Sequence, residues 1–246
     1  MHINMSGKVV VVTGAAAGIG LAIGEVFAKN GAVLALVDRD PHVSDIANAI
    51  GCGSRSYVLD VADAAAASKV FAEIGRDFGS IHVLVNNAGI GIIAPAEFLP
   101  VADWDKTINV NLRGSFVCAQ VAAQFMLKQK WGRIITVASQ AAVIGIEGHV
   151  AYSASKAGLL GMTNCMALEW GPHGVTANCI SPTVVETELG RANWSGERGD
   201  RARASIPTRR FAQPVEVAEA ALFLASDAAA MINGANIMLD GGYTIQ

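Results

Sequence analysis

The feature that most constrains this chain is a rhythm of short apolar, often β-branched runs, each followed by a helix-length segment. The runs are Lys8-Val-Val-Val-Val-Thr13, Ala32-Val-Leu-Ala-Leu-Val37, Ser56-Tyr-Val-Leu59, Ile81-His-Val-Leu-Val85, Gly132-Arg-Ile-Ile-Thr-Val-Ala138 and Gly174-Val-Thr-Ala-Asn-Cys-Ile180. Consecutive apolar residues in a strand imply burial on both faces, the habit of parallel sheets covered by helices. Strand–helix alternation with short connections predicts an α/β fold: a Rossmann-like, doubly wound parallel sheet with helices on both faces. No linker, repeat or low-complexity tract interrupts it, so residues 1–246 read as a single domain.

Composition narrows the function classes. With 52% hydrophobic and 16% charged residues the chain can build a large core and is not disordered. A net charge of -3 gives no electrostatic footprint for nucleic acid. No run approaches the roughly 18 apolar residues of a membrane span. The start, Met-His-Ile-Asn-Met-Ser-Gly-Lys, has no signal-peptide profile, so a cytoplasmic protein is expected. Cys52, Cys118, Cys165 and Cys179 are scattered and read as free thiols. His2, His42, His82, His149 and His173 lack ligand spacing, so no metal is expected.

The first run enters Gly14-Ala-Ala-Ala-Gly18-Ile-Gly20, then an apolar-periodic helix to about Asn30. Glycines at such a turn let backbone approach a pyrophosphate at the helix N-terminus. The spacing is GxxxGxG rather than GxGxxG, and alone it fits a plain tight turn equally well. Asp38 ends the second strand, where a carboxylate accepts bonds from ribose hydroxyls and repels a 2′-phosphate. NAD is thereby favoured over NADP. Arg39 is the residue able to reverse that preference, and a helix cap is the structural alternative for Asp38. Asp60 and Val61 follow the third strand, where an adenine would lie. Asn86-Asn87-Ala88-Gly89 follow the fourth, at the carboxyl edge where open parallel sheets bind ligands.

Tyr152-Ser-Ala-Ser-Lys156 puts a phenol and an ammonium one turn apart on a helix. A free phenol ionises only near pH ~10. A neighbouring ammonium is expected to lower that value, letting Tyr152 exchange a proton with an alcohol or carbonyl oxygen. Ser139, at the end of the fifth strand, is placed to hold the same oxygen.

In order and spacing, Thr13-Gly14-xxx-Gly18-Ile19-Gly20, Asn86-Asn87-Ala88-Gly89, Asn111, Ser139, Tyr152-xxx-Lys156 and Asp240-Gly241-Gly242 resemble the short-chain dehydrogenase/reductase family across nearly the whole chain. The resemblance implies a catalytic set of Asn111, Ser139, Tyr152 and Lys156. Tyr152 is then the acid/base, Ser139 orients the substrate oxygen, Lys156 also holds the nicotinamide ribose, and Asn111 anchors a proton-relay water. It implies a cofactor surface of Gly14, Ala17, Gly18, Ile19, Gly20, Asp38, Arg39, Asp60, Val61, Asn87, Ala88, Gly89, Tyr152, Lys156, Pro182, Val185 and Thr187. The family usually has Pro-Gly where this chain has Pro182-Thr183, so a differently shaped loop is expected there.

Residues 183–210 lack strong periodicity and read as a substrate lid. From Arg191 to Arg210 six arginines face Glu197 and Asp200, which fits either a solvated helix or attraction of an anionic carrier. The stretch Ser181–Gly190, Trp194 and the tail from Asp240 look more like the family's polyol-oxidising branch. The expected activity is NAD-linked oxidation of a secondary alcohol in a small polyol, the partner being a small-molecule alcohol or ketone. Glu147, His149, Thr183 and Trp194 are the candidate hydroxyl-recognising residues. The alternatives are an NADPH-dependent 3-oxoacyl (acyl-carrier-protein) reductase and a non-catalytic nucleotide-binding protein. The long helices from Val101 to Lys130 and from about Val150 to Trp170 suggest a homotetramer, with a dimer next.

Overall fold

The computed structural model describes residues 3–246, apart from the side chains of Leu189 and Asn193; His2 lies outside the described residues. Seven strands form one sheet in the order β3-β2-β1-β4-β5-β6-β7, every neighbouring pair parallel. They are β1 (Val9–Thr13), β2 (Val33–Asp38), β3 (Arg55–Val58), β4 (Val83–Asn86), β5 (Gly132–Val137), β6 (Val175–Pro182) and β7 (Asn236–Leu239). The order reverses between β1 and β4, which opens a crevice at the carboxyl edge.

The helices are α1 (Gly18–Lys29), α2 (Val43–Ile50), α3 (Ala64–Phe78), α4 (Val101–Ile108), α5 (Ser115–Gln129), α6 (Val150–Trp170), α7 (Glu188–Asn193), α8 (Gly196–Ser205) and α9 (Pro214–Ala225). β1 shows why the strands read as unbroken apolar runs. Val10 and Val12 pack on one face with Ile23 and Phe27 of α1 and Val217 and Leu222 of α9. Val11, pointing the other way, packs with Phe71 and Ile74 of α3, Val117 and Met126 of α5 and Met166 of α6. Both faces are therefore covered, as the sequence predicts.

Three local expectations change. The single long helix from Val101 to Lys130 is α4 and α5 joined through a π-helical turn, Asn109–Gly114. The stretch 183–210 contains α7 and α8; α8 has no apolar stripe for periodicity to detect, Gly199 being its one buried residue. Thr183 is not in the left-handed region, where the non-glycine residues are Cys52, Lys130 and Arg209. β6 instead continues through Pro182, paired with Leu239, and the Thr183 amide donates to the Leu239 carbonyl at 3.1 Å. A threonine is therefore accommodated there without backbone strain.

Candidate active site

A groove of about 790 Å³ runs along the carboxyl edge. At one end is the glycine turn. Gly14 has a φ of 66°, and a Cβ there would stand 2.9 Å from Ala88 Cα and from Asn87 Nδ2. Gly18 has a φ of 58°, and its Cβ would meet Thr187 Cγ2 at 3.2 Å. Neither position tolerates a side chain, so backbone itself forms the groove wall. Gly14, Ala17, Gly18 and Ile19 line the groove; Gly20 does not. A Cβ on Gly20 would lie 2.0 Å from the Gly14 carbonyl oxygen, so its place is the tight packing of turn on helix. Ala17 caps α1 without a side-chain bond, and no acid lies in the first turn. The N–H groups there are left for an anionic ligand.

Asn87 ties this turn to the next loop. Its Nδ2 donates to the Thr13 and Gly14 carbonyls, both at 3.0 Å, and the Asn87 and Ala88 amides donate to Thr13 Oγ1. Asp38 also lines the groove. Its carboxylate accepts from the Ala16 amide at 2.9 Å and the Asp40 amide at 3.0 Å, which holds it beside the glycine turn. Arg39, Asp60, Val61, Asn87, Ala88, Gly89, Pro182, Val185 and Thr187 line the same wall. Thr187 caps α7, accepting from the Gly190 amide at 3.0 Å. This surface fits a dinucleotide: unfilled backbone for phosphates, an acid for ribose, and apolar Val61 and Val185 for the rings.

The other half of the groove carries Ser139, Tyr152 and Lys156. Ser139 caps a short 3₁₀ turn by accepting from the Ala141 amide at 3.1 Å. Lys156 is 4% exposed; its Nζ donates to the Val137 carbonyl at 2.7 Å and lies 5.6 Å from the Tyr152 ring centroid. Burial draws the Lys156 pKa down to about 8, opposed by Cys179. The expected depression of the Tyr152 pKa is not found. Burial pushes the phenol above its ordinary value, and the hydrogen bond with Ser139 brings it only part of the way back. Desolvation opposes the phenolate because it penalises the charged form.

Asn111 lies behind these residues at 1% exposure, in the π-helical turn. Its Oδ1 accepts from the Ile90 amide at 2.8 Å, and its Nδ2 donates to the Ile90 carbonyl at 2.9 Å and to Ser155 Oγ at 3.0 Å. A Cβ built on Gly89 would be 3.3 Å from Asn111 Oδ1 and 3.6 Å from Lys156 Nζ, so the Gly89 backbone passes close to both groups. A π turn inserts one residue into the helix and is a frequent mark of functional sites.

Of the four candidate substrate residues, His149, Thr183 and Trp194 line the groove and Glu147 does not. The Glu147 side chain is exposed, and only its carbonyl reaches inward, 2.7 Å from His149 Nδ1. A carbonyl accepts, so Nδ1 carries the proton; in neutral His149, Nε2 is then an acceptor. Sequence reading passed over Gln140, which lines the groove directly after Ser139. The available signal was a polar residue at a strand's carboxyl end. Among the described residues, no group of three or more His, Cys, Asp or Glu could hold a metal, and no helix is long and apolar enough to cross a membrane.

Known proteins resemble this chain in sequence and fold. Residues 14–244 match the family model described as enoyl-(acyl carrier protein) reductase. The chain is 49% identical to D-threitol dehydrogenase of Mycolicibacterium smegmatis, covering 99% of this chain and 95% of that protein. It is 46% identical to an NAD-dependent glycerol dehydrogenase of Listeria innocua, covering 99% and 96%. Among solved structures, a protein of Beutenbergia cavernae for which NAD(P)-dependent gluconate 5-dehydrogenase activity is proposed, with NADP at low occupancy, superposes with a TM-score of 0.96 at 36% identity, covering 100% of both chains. The chain thus belongs to the short-chain dehydrogenase/reductase family and is an oxidoreductase acting on CH–OH groups.

Proposed function

We propose that this protein oxidises a secondary alcohol of a small polyol or sugar alcohol, using NAD and Tyr152 as general base. The observation that carries the substrate class is likeness, over almost the whole chain, to two polyol dehydrogenases. The chemistry rests on Tyr152, Ser139 and Lys156 meeting in one groove, with Asn111 behind them. NAD, when bound, supplies the hydride acceptor. Ser139 holds the carbinol oxygen, and Tyr152 takes its proton as the carbon becomes a carbonyl. Because burial opposes the phenolate, Tyr152 needs a nearby positive charge, which Lys156 carries below about pH 8.

Asp38 supports NAD over NADP, since its carboxylate repels a 2′-phosphate. Residues 183–210, with α7 and α8, act as the substrate lid of a single 1–246 domain. Four free thiols among the described residues support a cytoplasmic setting. Exposed apolar side chains on the long helices, Phe116 at 43% and Leu168 at 80%, support a homotetramer.

One observation favours the second reading, a 3-oxoacyl reductase: Arg39, Arg198 and Arg201 have no ion-pair partner among the described residues. The other lid arginines are occupied locally. Arg203 pairs with Asp200 at 2.7 Å, Arg210 with Glu216, Arg191 bonds the Glu186 carbonyl, and Arg209 the Ala204 carbonyl. Only Arg203 and Arg210 meet a carboxylate, and a carbonyl bond leaves the charges of Arg191 and Arg209 in place, so the rim keeps most of the positive excess that the sequence shows. Assaying tetritols, pentitols, hexitols and glycerol with NAD, against acetoacetyl thioesters with NADPH, separates the two. Polyol turnover with NAD is expected; thioester turnover alone would replace the proposal.

A further inference from the structure

Gln140 is 6% exposed, and its Oε1 is buried with no hydrogen-bond partner. Its Nε2 makes no hydrogen bond among the described residues and is not one of the buried unpartnered atoms, so the oxygen is the sealed end of the amide. Its backbone is committed: the Gln140 carbonyl accepts from the Val143 and Ile144 amides at 3.0 and 3.1 Å. The side chain therefore contributes nothing to holding the turn. A buried, unpaired carboxamide oxygen is costly, and native proteins rarely keep one without a partner from outside the chain.

Its position says what that partner is. Gln140 lines the main groove and also a second cavity of about 270 Å³, sharing Thr183, Val184 and Trp194 with both. It follows Ser139 directly, so the two side chains present a hydroxyl and an amide from consecutive residues. The second cavity continues past Gln140 to Arg198, Arg201, Ser205 and Tyr243, and no acid lines it. Its donors suit the oxygens of a hydroxylated chain.

We propose that Gln140 binds the hydroxyl on the carbon next to the reacting carbinol, so that the enzyme selects vicinal diols, with the rest of the polyol chain directed toward the second cavity. This rests on the polyol reading of the site and adds the residue that enforces it. The carboxamide offers both an acceptor and a donor to a hydroxyl. A site built around such a bond discriminates against the analogue that lacks the hydroxyl, because the buried amide then stays unpaired.

The test compares D-threitol with 2-butanol, which has the same chain length and no second hydroxyl, using NAD with the wild type, Gln140→Met and Gln140→Glu. Methionine keeps the volume and removes the amide; glutamate keeps an oxygen acceptor. The ratio of kcat/KM for diol to that for mono-alcohol is expected to fall on the order of 10- to 100-fold in Gln140→Met. Part of that ratio returns in Gln140→Glu. NAD titration of each variant reports whether the fold is intact. If the ratio survives in Gln140→Met, or if both substrates lose equally, the role of Gln140 is refuted while the polyol reading stands. If the wild type turns over no polyol, the polyol reading fails and this inference falls with it.

Discussion

Residues whose role follows from covalent position are legible in this sequence. Tyr152 and Lys156 share a helix face whatever surrounds them, and Ser139 ends a strand whose carboxyl edge is fixed by topology. What burial does to them is not legible. The spacing implies an ammonium lowering a phenol's pKa, whereas in the folded groove desolvation wins and the phenol titrates high. Gln140 escaped notice because nothing in a Ser-Gln pair says that the amide ends buried and unpartnered, and Glu147 misled because loop residues carry no facing information. Asp38 is the residue proposed to set cofactor choice. Replacing it with Ser removes the charge that repels a 2′-phosphate. The ratio of kcat/KM with NAD to that with NADP is expected to fall by about 10-fold, equivalent to ~1.4 kcal/mol. An unchanged ratio would put the preference elsewhere.

At the scale of elements, long periodic helices and buried strands were readable, while irregular insertions were not. The π turn at Asn109–Gly114 leaves no mark on the apolar pattern, yet it accompanies the turn of Asn111 toward Ile90 and Ser155. Asn111→Leu would strand the part-buried Ile90 amide and carbonyl, at up to about 1 kcal/mol for each unsatisfied group. Urea unfolding should show a loss of stability together with slowed turnover; stability equal to the wild type would mean that these bonds are replaced. α9 offers a separate test. The Glu216 carboxylate accepts from the Gln213 amide and pairs with Arg210, and these contacts hold its pKa down at about 2. A depressed acid stabilises the fold above its unfolded pKa and loses that contribution as pH falls through the folded value. Screening at this exposed rim limits the effect to about 1 kcal/mol. Glu216→Gln is expected to lower Tm by about 2–4 °C at pH 7. The difference should close as pH falls from about 4.5 toward 2, and one that persists at low pH would assign the effect to packing.

Across the whole molecule, alternation of apolar runs and helical segments carried the fold class because a two-sided sheet needs them in that order. The short helix α8 is not legible, since a polar helix on a rim has no periodicity to reveal it. The proposed assembly is argued from Phe116 and Leu168, which stand exposed on α5 and α6. Light scattering at micromolar concentration is expected to give the mass of a tetramer, and a monomer would remove that inference. The central claim, that Tyr152 takes the proton of a polyol carbinol, is tested most directly by NADH formation from D-threitol in the wild type and Tyr152→Phe at matched NAD saturation. The substitution deletes one oxygen and leaves the ring in place. A loss of roughly 10²- to 10⁴-fold in kcat with NAD affinity retained is predicted. Turnover within a few-fold of the wild type would contradict the account.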